Sequence, residues 1–193
     1  MTNYVLIEPA YEDDAARFGS MLNYDDRFEL REGIPLSDTI PPDAAYRMSD
    51  DFPDRVALHD VLHNLDRQLI VNEKARAFLE AESVRHVEYL PIKVLNHKDR
   101  VVNERYFVVN MFPLVDCIDL TQTQYKRNRL DPEKLMHISN LTVHEDKIPA
   151  DFQLLRLKSA ASVVLIHRDL AARMKAAGIR GFSTPEVSEY RGN

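Results

Sequence analysis

Residues 68–112 read QLIVNEKARAFLEAESVRHVEYLPIKVLNHKDRVVNERYFVVNMF, and this stretch decides the fold class. Gln68-Leu69-Ile70-Val71 is a short apolar run of strand type. Asn72 follows with a side-chain oxygen suited to capping a helix, and Ala75, Phe78 and Leu79 give that helix one apolar face. Val87 to Leu95 predicts a second strand, bent near Pro91, which has no amide proton for a ladder. Asn96-His97-Lys98-Asp99 is turn chemistry, so Arg105 to Phe112 returns as the third strand of a long antiparallel hairpin. Phe107, Val109 and Met111 alternate with Tyr106 and Val108. Apolar side chains on both faces predict a strand covered on both sides.

The pattern extends outward in both directions. Tyr4-Val5-Leu6-Ile7 reads as a strand ended by Pro9, and Leu114 to Leu120 as an extension of the sheet. Val163-Val164-Leu165-Ile166 reads as a strand followed by a helix with Leu170, Met174 and Ala177 on its face. Gly178 suits the end of that helix, because glycine enters the left-handed region without strain. Ile179 to Phe182 begins a further strand. Overlaid at an offset of 95 residues, the two strand–helix–strand units align Val71 with Ile166 and Leu79 with Met174. Two such units also resemble each other by chance. Leu58, Val61, Leu62 and Leu65, at i, i+3, i+4 and i+7, predict a helix from Val56. The expected fold is α+β: a central, mostly antiparallel sheet with strand–helix–strand units, flanked by helices.

The 193 residues suit one domain. Within it, residues 1–66 read as an acidic, loop-rich N-terminal part and 67–193 as the mixed core. The first part carries 15 acidic and 5 basic side chains, the second 16 and 20, so a chain of net charge −6 concentrates its negative charge at one end. Such a segment repels nucleic acid and attracts basic surfaces, though acidic loops also simply keep a protein soluble. The single cysteine, Cys117, precludes an internal disulfide and fits a reducing, cytoplasmic setting. The opening MTNYVLIEPAYEDD lacks the basic region of a secretory leader, and no apolar run approaches a membrane span.

Chemical motifs are scarce. The five glycines form neither GxGxxG nor GxxxxGK[ST], and no GxSxG elbow is present. Cys117 sits in the apolar run LVDCIDL, where a structural thiol is expected. His59 and His63, four apart on the helix expected there, with Asp66 one turn on, have spacing that could present two imidazoles and a carboxylate to zinc. Their alternative reading is a polar flank beside the apolar stripe. Lys126-Arg127-Asn128-Arg129 could touch phosphate, or be a solvated loop. These absences predict a protein that binds rather than catalyses, with no cofactor.

From Gln68 to Phe182 the chain resembles the bacterial immunity protein 11 family. The resemblance lies in the order of several segments: QLIVNEKARAFLE, HVEYLPIKVLN, ERYFVVNMFPLVDCIDL, and LTVHEDKIPADFQLLRLKSAASVVLIHRDLAARMKAAGIRGF. It places Asn110, Asp116 and Asp119 at the family's Asn and Asp positions, and Lys147-Ile148-Pro149 with Leu155-Arg156-Leu157 on a strand–turn–strand. The first third carries no visible match. The resemblance implies an immunity protein of a polymorphic-toxin system, binding a cognate toxin domain, often a nuclease, without catalytic residues. An inhibitor of a basic nuclease benefits from an acidic face, so Asp13, Asp14, Asp50, Asp51 and Asp54 are the expected toxin-facing residues. A small metal-dependent enzyme using His59, His63 and Asp66, and a regulatory interaction module, are the competing readings. Open sheet edges would also permit a homodimer.

Overall fold

The computed structural model describes residues 2–102 and 105–192. Its strands are β1 (Tyr4–Leu6), β2 (Glu8–Pro9), β3 (Arg17–Phe18), β4 (Ala45–Arg47), β5 (Val61–Asn64), β6 (Ile70–Asn72), β7 (Val87–Leu95), β8 (Tyr106–Met111), β9 (Gln124–Arg127), β10 (Leu135–Ser139), β11 (Leu154–Leu157), β12 (Ala160–His167) and β13 (Phe182–Ser183). The α-helices among the described residues are α1 (Glu73–Ala81) and α2 (Arg168–Ala176). Neither is long and apolar enough to cross a membrane.

The hairpin expected from the sequence is the spine. β7 and β8 pair antiparallel from Val87↔Met111 to Ile92↔Tyr106. They belong to a six-stranded sheet of order β3-β5-β6-β8-β7-β4, in which β3–β5 and β4–β7 run parallel. Its edges meet. Gly19 N donates to Arg47 O at 3.1 Å, and Leu22 and Ala45 exchange backbone hydrogen bonds of 2.8 and 3.1 Å. Phe18 bridges Met48 in the same seam. The sheet therefore curls into a near-barrel, a geometry that leaves little free strand edge.

Strand alternation sorts the apolar side chains between two cores. Leu62, Ile70, Leu90, Ile92, Val94, Tyr106 and Val108 point inside with Phe18, Tyr46 and Met48. Val61, Val71, Phe107, Val109 and Met111 point outward into a second core shared with α1, α2 and a three-stranded sheet of order β1-β12-β11. Every residue of β8 is buried, as its two apolar faces require. The opposite face of the small sheet, through Tyr4, Leu6, Val163 and Leu165, covers a third core with Val115, Cys117 and Ile118.

Local capping follows the sequence. Asn72 Oδ1 accepts from Ala75 N at 3.0 Å at the start of α1, a cap that typically contributes about 1 kcal/mol. Gly178 takes φ +68° just past α2. The helices start 95 residues apart, at Glu73 and Arg168, but their strands belong to different sheets.

Several expectations change. The six-stranded sheet curls into a near-barrel rather than lying as a layer, with α1 and α2 against its outer core. β6 and β7 do not pair with each other but flank β8, and β13 pairs with β2, away from β12. The segment from Val56 is extended rather than helical, leading into β5; Leu65, the last residue of the apparent stripe, is 68% exposed. The helical spacing misled because β5 sends neighbouring residues, Val61 and Leu62, into two different cores. Ala177 lies beyond α2 and is exposed. Leu114 to Leu120 contributes only the bridges Val115↔Leu157 and Ile118↔Val143. Lys126 and Arg127 lie on the exposed β9–β10 hairpin. Cys117 is buried, and loss of solvation pushes its thiol up to about 12, far from a reactive thiolate.

Candidate functional site

The five acidic residues singled out from the sequence converge on one edge of the near-barrel. The chain from Met48 to Ala57 is a loop hung at both ends on a single short segment. Ser49 N donates to Arg17 O at 2.7 Å, and Ala57 N donates to Asp14 O at 3.0 Å. The loop carrying Asp50, Asp51 and Asp54 thus leaves and returns beside the turn carrying Asp13 and Asp14. All five are exposed. Asp13 and Asp54 have no hydrogen-bond or ion-pair partner among the described residues. Asp50 is committed to Arg47 at 2.9 Å, and that contact holds its carboxyl below the usual range. Arg47 also holds Asp99 at 2.6 Å.

Between the two acidic loops runs a ladder of cations and rings that the sequence did not announce. The Arg55 guanidinium carbon lies 5.0 Å from the centre of the Phe52 ring. Arg17 lies 5.7 Å from Phe52 on one side and 4.7 Å from Tyr11 on the other. Tyr11 in turn meets the His63 ring edge-on at 5.5 Å. Arg17 is buried and makes no ion pair among the described residues, and its Nε has no hydrogen-bond partner, so ring faces supply much of its compensation. Tyr11 is 77% exposed, and Phe52 and Val56 are also exposed. Exposed aromatics beside arginine, rimmed by carboxylates, have the composition of a protein-binding surface. Tyr11 and His63 also border a cleft of about 370 Å³ with Glu8, Leu65, Arg67 and Tyr190.

The description of an immunity protein family (Imm11) matches residues 9–189 of this chain. The chain belongs to that family. The match begins at residue 9, so the acidic first third, which carries no visible resemblance in sequence, lies within the Imm11 unit. No curated protein matches the chain.

Of the positions that carried the Imm11 resemblance, Asn110, Asp119 and Arg156 serve the scaffold. Asn110 is buried on β8, and its Nδ2 donates to Ile34 O at 2.7 Å and Glu88 Oε1 at 2.8 Å. Glu88 accepts from the backbone amides of Leu36 and Ser37. Together they fasten residues 34–37 to the barrel. Asp119 Oδ1 accepts from Thr121 Oγ1 at 2.6 Å and Thr121 N at 2.9 Å, and the Thr121 hydroxyl holds its carboxyl below the usual range. Asp116 is exposed. Arg156, on β11, is fully buried and donates to Ala161 O and to Gln68 Oε1, both at 2.6 Å. Burial pulls its guanidinium down to about 10.

His59, His63 and Asp66 do not converge. On extended chain, residues four apart lie roughly 13 Å apart along the strand, not one above the other. Asp66 Oδ2 instead accepts from Met21 N at 2.7 Å and Tyr46 Oη at 3.1 Å. His63 turns to Tyr11, and burial, then the nearby Arg17 charge, pull its imidazole below the usual range. His59 faces a different pair of carboxylates, Glu12 and Asp14.

Proposed function

We propose that this protein is a non-catalytic immunity protein that binds a cognate bacterial toxin domain through the edge formed by the 11–14 turn and the 49–56 loop. Family membership supports the toxin connection. The observation that carries the choice of surface is the pair of hydrogen bonds from Ser49 and Ala57 to Arg17 and Asp14, which gathers Asp13, Asp14, Asp50, Asp51 and Asp54 around Tyr11 and Phe52. Carboxylates at the rim steer a basic partner and occupy positions that substrate phosphates would take on a nuclease. Desolvated rings at the centre supply the slow dissociation that neutralisation requires.

The proposed partner is therefore a protein, with neither nucleic acid nor membrane at this acidic edge, and the setting is the cytoplasm of a toxin-producing bacterium within a polymorphic-toxin system. The test is co-expression with the toxin domain encoded beside it. The wild-type protein rescues growth and forms a stoichiometric complex. Failure of the pure protein to bind that toxin overturns the reading.

A further inference from the structure

We propose that Glu12, Asp14 and His59 form a site for one zinc ion beneath the acidic edge. One ligand atom from each lies within 4.8 Å of the other two. The Glu12 Oε1 to His59 Nδ1 distance is 3.4 Å, and Asp14 Oδ1 lies 3.7 Å from His59 Nε2. Donors around a tetrahedral zinc ion, at bond lengths near 2 Å, stand about 3.4 Å apart. The first pair already has that spacing. Asp14 faces the other ring nitrogen, and one ion takes a single imidazole nitrogen, so the exposed Asp14 side chain must turn toward Nδ1 to complete the set.

The independent sign of a ligand is His59 itself. Its side chain is only 6% exposed, and Nδ1 is buried without a hydrogen-bond partner while facing a carboxylate. A buried ring nitrogen normally finds a hydrogen-bond partner, and here the facing Glu12 Oε1 stands at 3.4 Å without making one, the separation of two ligands on one ion. Its position is fixed from behind. The Tyr106 hydroxyl donates to His59 O at 2.8 Å. Gly181, at φ +91°, packs so closely that an added Cβ would lie 2.7 Å from His59 Cβ. Arg180 holds the other Glu12 oxygen at 3.3 Å, the kind of outer contact that orients a ligating carboxylate.

One imidazole and two carboxylates suit zinc, whereas magnesium and calcium take oxygen ligands alone. Two carboxylates against one guanidinium leave the site with net negative charge. Water completes the coordination. Bound zinc would tie the 12–14 turn to the segment before β5 at His59 and stiffen one half of the acidic edge. This rests on none of the toxin reading, and either can fail alone.

The experiment is a zinc titration of untagged, metal-free protein, read by competition with a chromophoric chelator and by thermal midpoint. Wild type binds one equivalent and its midpoint rises. E12Q, D14N and H59Q each weaken binding by at least roughly ten-fold, the lower end of what loss of an outer-sphere partner costs. Asp14 is exposed, so D14N keeps the test valid if H59Q fails to fold. H86Q, which removes the separate His86–Asp151 pair, leaves binding unchanged. No saturable zinc binding, or binding that survives D14N and E12Q, overturns the proposal.

Discussion

The guanidinium carbon of Arg17 sits 4.7 Å from the centre of the Tyr11 ring, a buried cation against a ring that is itself 77% exposed. Arg17 is buried within β3, so the exposed Tyr11 ring rests on a side chain packed into the sheet. A contact ring held this way loses little entropy on binding.

Tyr11→Ala and Phe52→Ala should therefore separate binding from stability. Each is expected to weaken toxin binding by about 2 kcal/mol or more, roughly thirty-fold, as central aromatic anchors do. Stability should fall by about 2 kcal/mol at most for Tyr11→Ala, the worth of a cation–π contact to a desolvated cation, and by less for the more distant Phe52. Calorimetry of the complex and urea denaturation of the free protein check the two halves.

Asn110→Ala should release the 34–37 loop. It removes the donor to Ile34 O and Glu88 Oε1 and is expected to cost about 2 kcal/mol, with faster proteolysis in that loop. Asn110→Asp should cost at least as much, because it sets a second carboxylate against Glu88.

Arg156 has no carboxylate partner among the described residues; its guanidinium meets Ala161 O and Gln68 Oε1 in a site with no exposure. Arg156→Ala should cost about 3 kcal/mol, through a cavity and two orphaned acceptors. Arg156→Met with Gln68→Leu restores volume and removes one acceptor, and should recover most of that loss. Denaturation midpoints of the three proteins decide it.

His63 and Glu8 border one cleft and give stability opposite slopes with pH. Burial, then Arg17, lowers the folded His63 pKa below its ordinary 6.5. The unfolded chain then binds more protons, so this group's contribution is full above about pH 6.5 and is lost as pH falls toward the folded value. Glu8 is raised above 4.5 by burial, so its contribution is present below about 4.5 and lost as pH rises through its folded value. Acidification from pH 7 to 5.5 should lower the wild-type thermal midpoint, and His63→Asn should flatten that slope.

The sequence made the β7–β8 hairpin and the Asn72 cap legible because each is a local pattern: nine residues of strand, a turn, a capping oxygen. Barrel closure was not legible. β3 and β4 are two and three residues long, too short to show any period, and their seam joins chain segments that no local rule connects. The Val56 helix failed because Leu58, Val61, Leu62 and Leu65 imitate a helical face while the chain is extended. The exposure of the acidic loops was readable from runs of carboxylates with prolines. The ladder between them was not, since Tyr11, Arg17 and Phe52 meet only through the fold. His59 and His63 carried a spacing whose meaning depended entirely on that helix.

The most direct test is the affinity of the cognate toxin for wild-type protein and for the variant D13N/D14N/D50N/D51N/D54N, measured across a salt series. Tight wild-type binding that weakens with salt, against a weaker complex with a flatter salt slope for the variant, is the predicted result. Equal affinity and equal slope in the two proteins would contradict the acidic edge as the toxin-facing surface.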